Sequence, residues 1–111
     1  LRMSSGIAFK EEYSGIPVDS DATQMLYLKG PRTGFGNYSA SLPVRSNKPG
    51  SYFYYSSGDT NILMEILKKI SPSQEEYNAY PWKKLFGPAG IQSATFEQDA
   101  TGTFAGSSYV Y

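Results

Sequence analysis

The chain has 111 residues, the size of one domain, and its 40% hydrophobic and 15% aromatic content argues against disorder. Ten basic and ten acidic residues cancel, and no Lys or Arg run builds the electrostatic footprint of a nucleic-acid binder. Cys and His are both absent, which removes disulfides, the usual zinc sites, thiol catalysis and imidazole bases, so acid and base chemistry falls to Asp, Glu, Lys or Tyr.

No stretch approaches the roughly 18 consecutive apolar residues of a spanning helix, and the first five residues lack the charged-then-apolar order of a signal peptide. A chain without thiols reports nothing about redox conditions, so the compartment, cytoplasmic or periplasmic, stays open. The opening residue is Leu1 and the last three are Tyr109-Val110-Tyr111, so both ends read as cuts through structure and the expectation is a fragment.

Residues 1–18 carry Gly6, Gly15 and Pro17 among scattered apolar residues, which reads as an irregular, extended segment ending in a turn. Asp19 or Ser20 then offers a cap for a short helix over 21–28, which Gly30-Pro31 is expected to end. From Pro31 to Ser51 the density of Gly, Pro, Ser and Asn predicts a long surface loop, of a length that is uncommon unless functional or mobile.

The clearest helical signal follows: Ile62, Leu63, Ile66, Leu67 and Ile70 recur at helical spacing with Glu65, Lys68 and Lys69 opposite. Ser57, Asp59 and Thr60 are its candidate caps, and Ser71-Pro72 stops it. Ser73-Gln74-Glu75-Glu76 is a capping-box pattern that starts a second helix, kinked or restarted at Pro81 and ended at Gly87-Pro88. The tail from residue 91 mixes Thr, Phe, Val and Tyr with glycines, consistent with loops and short strands.

With neither His nor Cys, catalysis would need a serine activated by Lys or Tyr, whose signature is Ser-x-x-Lys, a second Tyr or Ser, and Lys-Thr-Gly. No serine has a Lys three positions on, and Lys-Thr-Gly and His-x-Gly are both missing, so only the middle element is present. That element is Pro49-Gly50-Ser51-Tyr52-Phe53-Tyr54-Tyr55-Ser56-Ser57, directly before the amphipathic helix. It resembles the Pro-Gly-x-x-Phe-x-Tyr-Ser-Asn stretch of class C β-lactamase-like serine hydrolases. Leu1-Arg2-Met3-Ser4-Ser5-Gly6-Ile7, Leu85-Phe86-Gly87-Pro88-Ala89-Gly90-Ile91 and Gly106-Ser107-Ser108 are similar, in order, to further blocks of that family. Phe9-Lys10-Glu11-Glu12-Tyr13 and Tyr55-Ser56-Ser57-Gly58-Asp59-Thr60-Asn61 look closest to its 6-aminohexanoate-dimer hydrolase branch, which cleaves short linear amides and related esters.

The resemblance implies an internal segment of such a domain, residues 1–111, without the nucleophile motif or the C-terminal sheet. Its fold would be mainly α with long irregular loops, part of the helical region of an α/β β-lactamase/transpeptidase-like fold. Tyr55 would be the catalytic tyrosine that shuttles protons between serine, lysine and leaving group. Ser57, where many relatives have Asn, and Tyr13, on a loop over the substrate, would contact an amide, ester or β-lactam substrate. The chemistry is acyl transfer through a covalent acyl-enzyme and needs neither cofactor nor metal; the fragment alone is inactive, and its partner is the remainder of the parent domain.

Plainer readings stand beside these. A tyrosine among aromatics usually packs, Ser57 is also a candidate N-cap, and Tyr13 is also a candidate packing residue. Trp82 and Phe86, four apart, read as core anchors. The pairs Glu11-Glu12 and Glu75-Glu76 read as solvated faces without a catalytic role. The competing function is a non-catalytic module, or an inactive family relative, that binds a partner through a tyrosine-rich surface.

Overall fold

The computed structural model describes residues 2–111. Its opening segment pairs with the chain that follows the first helices: Ile7 and Val44 form an antiparallel bridge, Ala8 N donates to Pro43 O at 2.8 Å, and Arg45 N donates to Gly6 O at 2.6 Å. The Arg45 guanidinium donates to the carbonyls of Ile7 and Phe9 at 3.2 and 3.3 Å and lies 3.8 Å from the Tyr54 ring centre. Its charge is thus spent on fixing this segment, with a cation–π contact as the second anchor.

A 3-10 turn, Pro17–Asp19, leads into α1, Asp21–Thr23, which is prolonged by a π-helical turn, Gln24–Leu28. Ser20 stands at the N-cap position, but its hydroxyl accepts from Glu12 N at 3.3 Å instead of capping the helix. Gly30-Pro31 does not stop the chain from coiling; it opens α2, Gly30–Thr33. Proline is tolerated in a first helical turn because its missing N–H has no partner there. Gly30 is required because a Cβ would fall 1.8 Å from the Met25 carbonyl oxygen.

The expected surface loop over 31–51 is likewise corrected. It contains α3, Phe35–Ala40, which buries Phe35, Gly36, Tyr38 and Ser39. Gly36 acts here as a packing residue: a Cβ would meet Glu65 Cβ at 2.6 Å and Asn61 O at 2.7 Å, so α3 rides directly on the backbone of α4, Ser57–Ile70. Glycine is what allows such close approach.

Helix α4 is the helix that the apolar periodicity predicts, but it is rotated relative to that pattern. Ser57, Gly58 and Asn61 are its buried residues, whereas Ile66 is 47% and Ile70 72% exposed. The inward stripe is polar and fully bonded. Asn61 Nδ2 donates to Ser57 O at 3.0 Å and Ser107 Oγ at 2.7 Å, and Asn61 Oδ1 accepts from Gly106 N at 3.1 Å. One turn on, Glu65 accepts from Thr103 Oγ1 at 2.9 Å and the Lys68 ammonium donates to the Thr101 carbonyl. A satisfied polar seam costs little, which is why it can replace the apolar stripe as the packing face. The N-cap is Ser56, accepting from Asp59 N at 3.2 Å, and not Ser57, Asp59 or Thr60.

Helix α5, Gln74–Pro81, starts as expected with the Ser73 hydroxyl accepting from Glu76 N at 3.1 Å. Pro81 is its last residue, and a π-helical turn, Trp82–Phe86, carries on. Gly90, at φ 76°, lets Ile91 N reach back to Phe86 O at 2.8 Å and close the element.

The tail returns over α4 and α5 with two more bridges, Phe96 with Val110 and Gln98 with Phe104. Two apolar clusters result. Phe9, Ala22, Met25, Phe35, Tyr38 and Ala105 form one. The other is aromatic: Phe96 stacks on Phe104 at 4.5 Å, and Tyr77 lies 4.9 Å from Phe104 while its hydroxyl accepts from Phe104 N at 2.9 Å. Phe86 is buried in that cluster with Trp82 edge-on at 5.3 Å, but Trp82 itself is 38% exposed, so only one of the two expected anchors is a core residue. Among the described residues, helices account for 44% and pairing between strands is confined to isolated bridges, so the protein is a compact, mainly helical small domain.

Candidate active site

The residues singled out by the sequence converge on the first turn of α4. Phe9 is fully buried with its ring on Gly58, where a Cβ would sit 2.5 Å from the ring edge. Side chains two apart leave a non-helical chain on the same side. Phe9 therefore carries Glu11 and Tyr13 to the same helix end, while Lys10 and Glu12 pair with each other in solvent at 3.0 Å.

Glu11 is the residue that sequence reasoning set aside as a solvated face, and the structure corrects that. Its Oε2 accepts from Ser57 N at 2.7 Å, and its Oε1 accepts from Ser57 Oγ at 2.8 Å and from the Tyr13 hydroxyl. A carboxylate at a helix N-terminus meets free amides and the positive end of the helix dipole, so the placement is favourable without a countercharge. The alternation Phe9-Lys10-Glu11-Glu12-Tyr13 was the available signal, since it puts Glu11 on the side of Phe9 and Glu12 on the other.

Tyr55 directly precedes the N-cap Ser56. Tyr54 beneath Arg45 and the buried Ser56 turn inward, so Tyr55 turns out, as does Phe53, and the two are 57% and 67% exposed. Ser57 is buried, and its hydroxyl proton is committed to Glu11, which leaves its oxygen lone pairs as the group it can offer. Tyr13 is 82% exposed despite the bond from its hydroxyl to Glu11. That bond pushes the Tyr13 phenol up to about 12, with burial, the Glu11 charge and the nearby Tyr55 phenol adding to it and Ser57 opposing.

The site is therefore an open cluster on the surface, with Tyr13 and Tyr55 as its rim and the Glu11–Ser57 pair as its floor. A second helix anchor lies alongside: Ser5 Oγ donates to Asp59 Oδ1 at 2.7 Å. Among the described residues, no three acidic side chains converge into a metal-ligand set. No helix among them is long and apolar enough to cross a membrane.

No protein-family model matches the chain, and neither a curated protein nor a solved structure matches it. The functional reading rests accordingly on the residues and their arrangement.

Proposed function

We propose that the chain is an internal segment of a serine hydrolase of the class C β-lactamase-like type, acting on amide, ester or β-lactam bonds through a covalent acyl-enzyme. The observation that carries this reading is the exposed Tyr55 at the mouth of α4, two residues before the Ser57 that one carboxylate ties to Tyr13. A proton-shuttling phenol must be reachable by a nucleophile and a leaving group, and an outward-facing phenol one residue before a helix cap meets that requirement.

In the proposed reaction, a serine supplied by the rest of the domain attacks the substrate carbonyl. Tyr55, next to that serine's lysine, takes up the serine proton and delivers it to the departing amine or alcohol, and water then releases the acyl group. Ser57 and Tyr13 border the substrate. The exposed face of α4, including Ile66 and Ile70, supports the reading as well, because an apolar stripe of this kind is ordinarily covered by more protein, here the remainder of the domain.

The test is labelling of the complete protein with a fluorophosphonate probe, together with turnover of a fluorogenic ester. One labelled serine outside these 111 residues and measurable turnover are expected. Absence of both favours the non-catalytic alternative, a binding module whose contact surface is the exposed Tyr13, Tyr52, Phe53 and Tyr55.

A further inference from the structure

Resting on the hydrolase reading, we infer that Glu11 is a positioning residue of the site, a carboxylate that locks the substrate-side phenol of Tyr13 and the helix mouth at Ser57 into one rigid unit beside Tyr55. Three bonds converge on this single side chain: the Ser57 amide at 2.7 Å, the Ser57 hydroxyl at 2.8 Å and the Tyr13 hydroxyl. Tyr13 is otherwise the most exposed large side chain of the region, at 82%, and residues 8–16 around it form no helix. An exposed ring on an irregular segment samples several rotamers, and fixing it in one removes an ordering cost that the substrate would otherwise meet on binding.

The geometry separates this role from plain helix capping. Capping of α4 is already performed by Ser56, which accepts from Asp59 N, so Glu11 is not needed to nucleate the helix. Both carboxylate oxygens are used, and Oε1 is shared between the helix hydroxyl and the phenol. That shared oxygen is the mechanical link between a loop residue and a helix residue 44 positions apart, from Tyr13 to Ser57. The anchor behind it is rigid, because Phe9 two residues earlier is fully buried against Gly58.

The experiment is steady-state kinetics of the complete protein on a fluorogenic ester with Glu11→Gln, Tyr13→Phe, the double variant, and Glu12→Gln as control, each with a thermal melt. Glu11→Gln is expected to raise KM about 10- to 100-fold with kcat close to wild type. Tyr13→Phe is expected to do the same, and the double variant to be no worse than either single one, because both break one link. Glu12→Gln, whose charge meets only Lys10 in solvent, is expected to keep wild-type constants. Additive KM effects, or a lowered melting temperature with an unchanged KM, overturn the inference. If Glu11→Gln does not fold, Glu11→Asp keeps the charge with a shorter reach, and a wild-type KM in it counts against the inference equally. Full turnover in Tyr55→Phe, or none in the wild type, removes the hydrolase reading and this inference with it. An inactive Tyr55→Phe beside a Glu11→Gln of unchanged KM removes Glu11 alone.

Discussion

Ser56, Ser57 and Glu11 divide between them what a single serine was expected to do. Ser56 caps α4, so Ser56→Ala should cost about 1 kcal/mol, read as a lower urea midpoint with an unchanged slope. Glu11 and Tyr13 form a pair whose titration is directly testable. Tyr13 is pushed up to about 12, first by its bond to Glu11, so in Glu11→Gln its phenol should ionise closer to the ordinary value of about 10. Ultraviolet or NMR titration of Tyr13 checks this, and an unmoved midpoint would mean that the bond does not control the phenol. The place of Tyr55 just ahead of α4 was legible because the apolar spacing after it marks where the helix begins, although the cap fell on Ser56 and not on Ser57. Glu11 was not, because a glutamate's neighbours across 46 positions of chain are decided by packing and leave no trace in local composition.

The clearest lesson at the scale of the element comes from α4. Its existence and its end were readable from the spacing of Ile62, Leu63, Ile66, Leu67 and Ile70, yet the face turned to the interior is the opposite one, led by Ser57, Gly58 and Asn61. Periodicity reports that a helix has two unlike faces, and the assignment of the apolar one to the core assumes that no other protein covers it. Asn61→Leu should therefore be costly in spite of its added hydrophobicity. It would leave Gly106 N without its acceptor and Ser107 Oγ without its donor, each loss worth roughly 1–3 kcal/mol when buried, whereas Ile70→Lys in the same chain should change stability by under about 0.5 kcal/mol. Denaturant unfolding of the two variants distinguishes the faces, and the reverse ranking would restore the periodicity's own orientation. The segment 31–51 was misjudged for a related reason: Gly30, Gly34 and Gly36 look like turn residues in a sequence. Yet Gly30 clears the Met25 carbonyl and Gly36 clears the backbone of α4, which are packing duties.

Across the whole molecule, two apolar clusters flank a bonded polar seam, and tyrosines are part of both. Tyr77 is fully buried and pushed up to about 12 by burial, and Tyr13 reaches the same value through Glu11. A phenol with a raised folded-state value favours the neutral form when folded. Its stabilisation is therefore complete below pH of about 10 and is lost as pH rises toward about 12. Thermal melts from pH 8 to 12 should show a plateau followed by a fall in this alkaline window, and a flat profile would contradict the assignment of two neutral phenols, Tyr77 held so by burial and Tyr13 by its bond to Glu11. The helices over 57–70 and 74–86 were legible from apolar spacing and from the Ser73 capping box, and the serine hydrolase reading of the whole turns on Tyr55. Its most direct test is the kcat of the complete protein with Tyr55→Phe, a change that removes one hydroxyl from an exposed ring and leaves the packing in place. A fall of about 100- to 10,000-fold in ester turnover with an unchanged melting temperature is the expected result, and turnover equal to wild type would contradict the account.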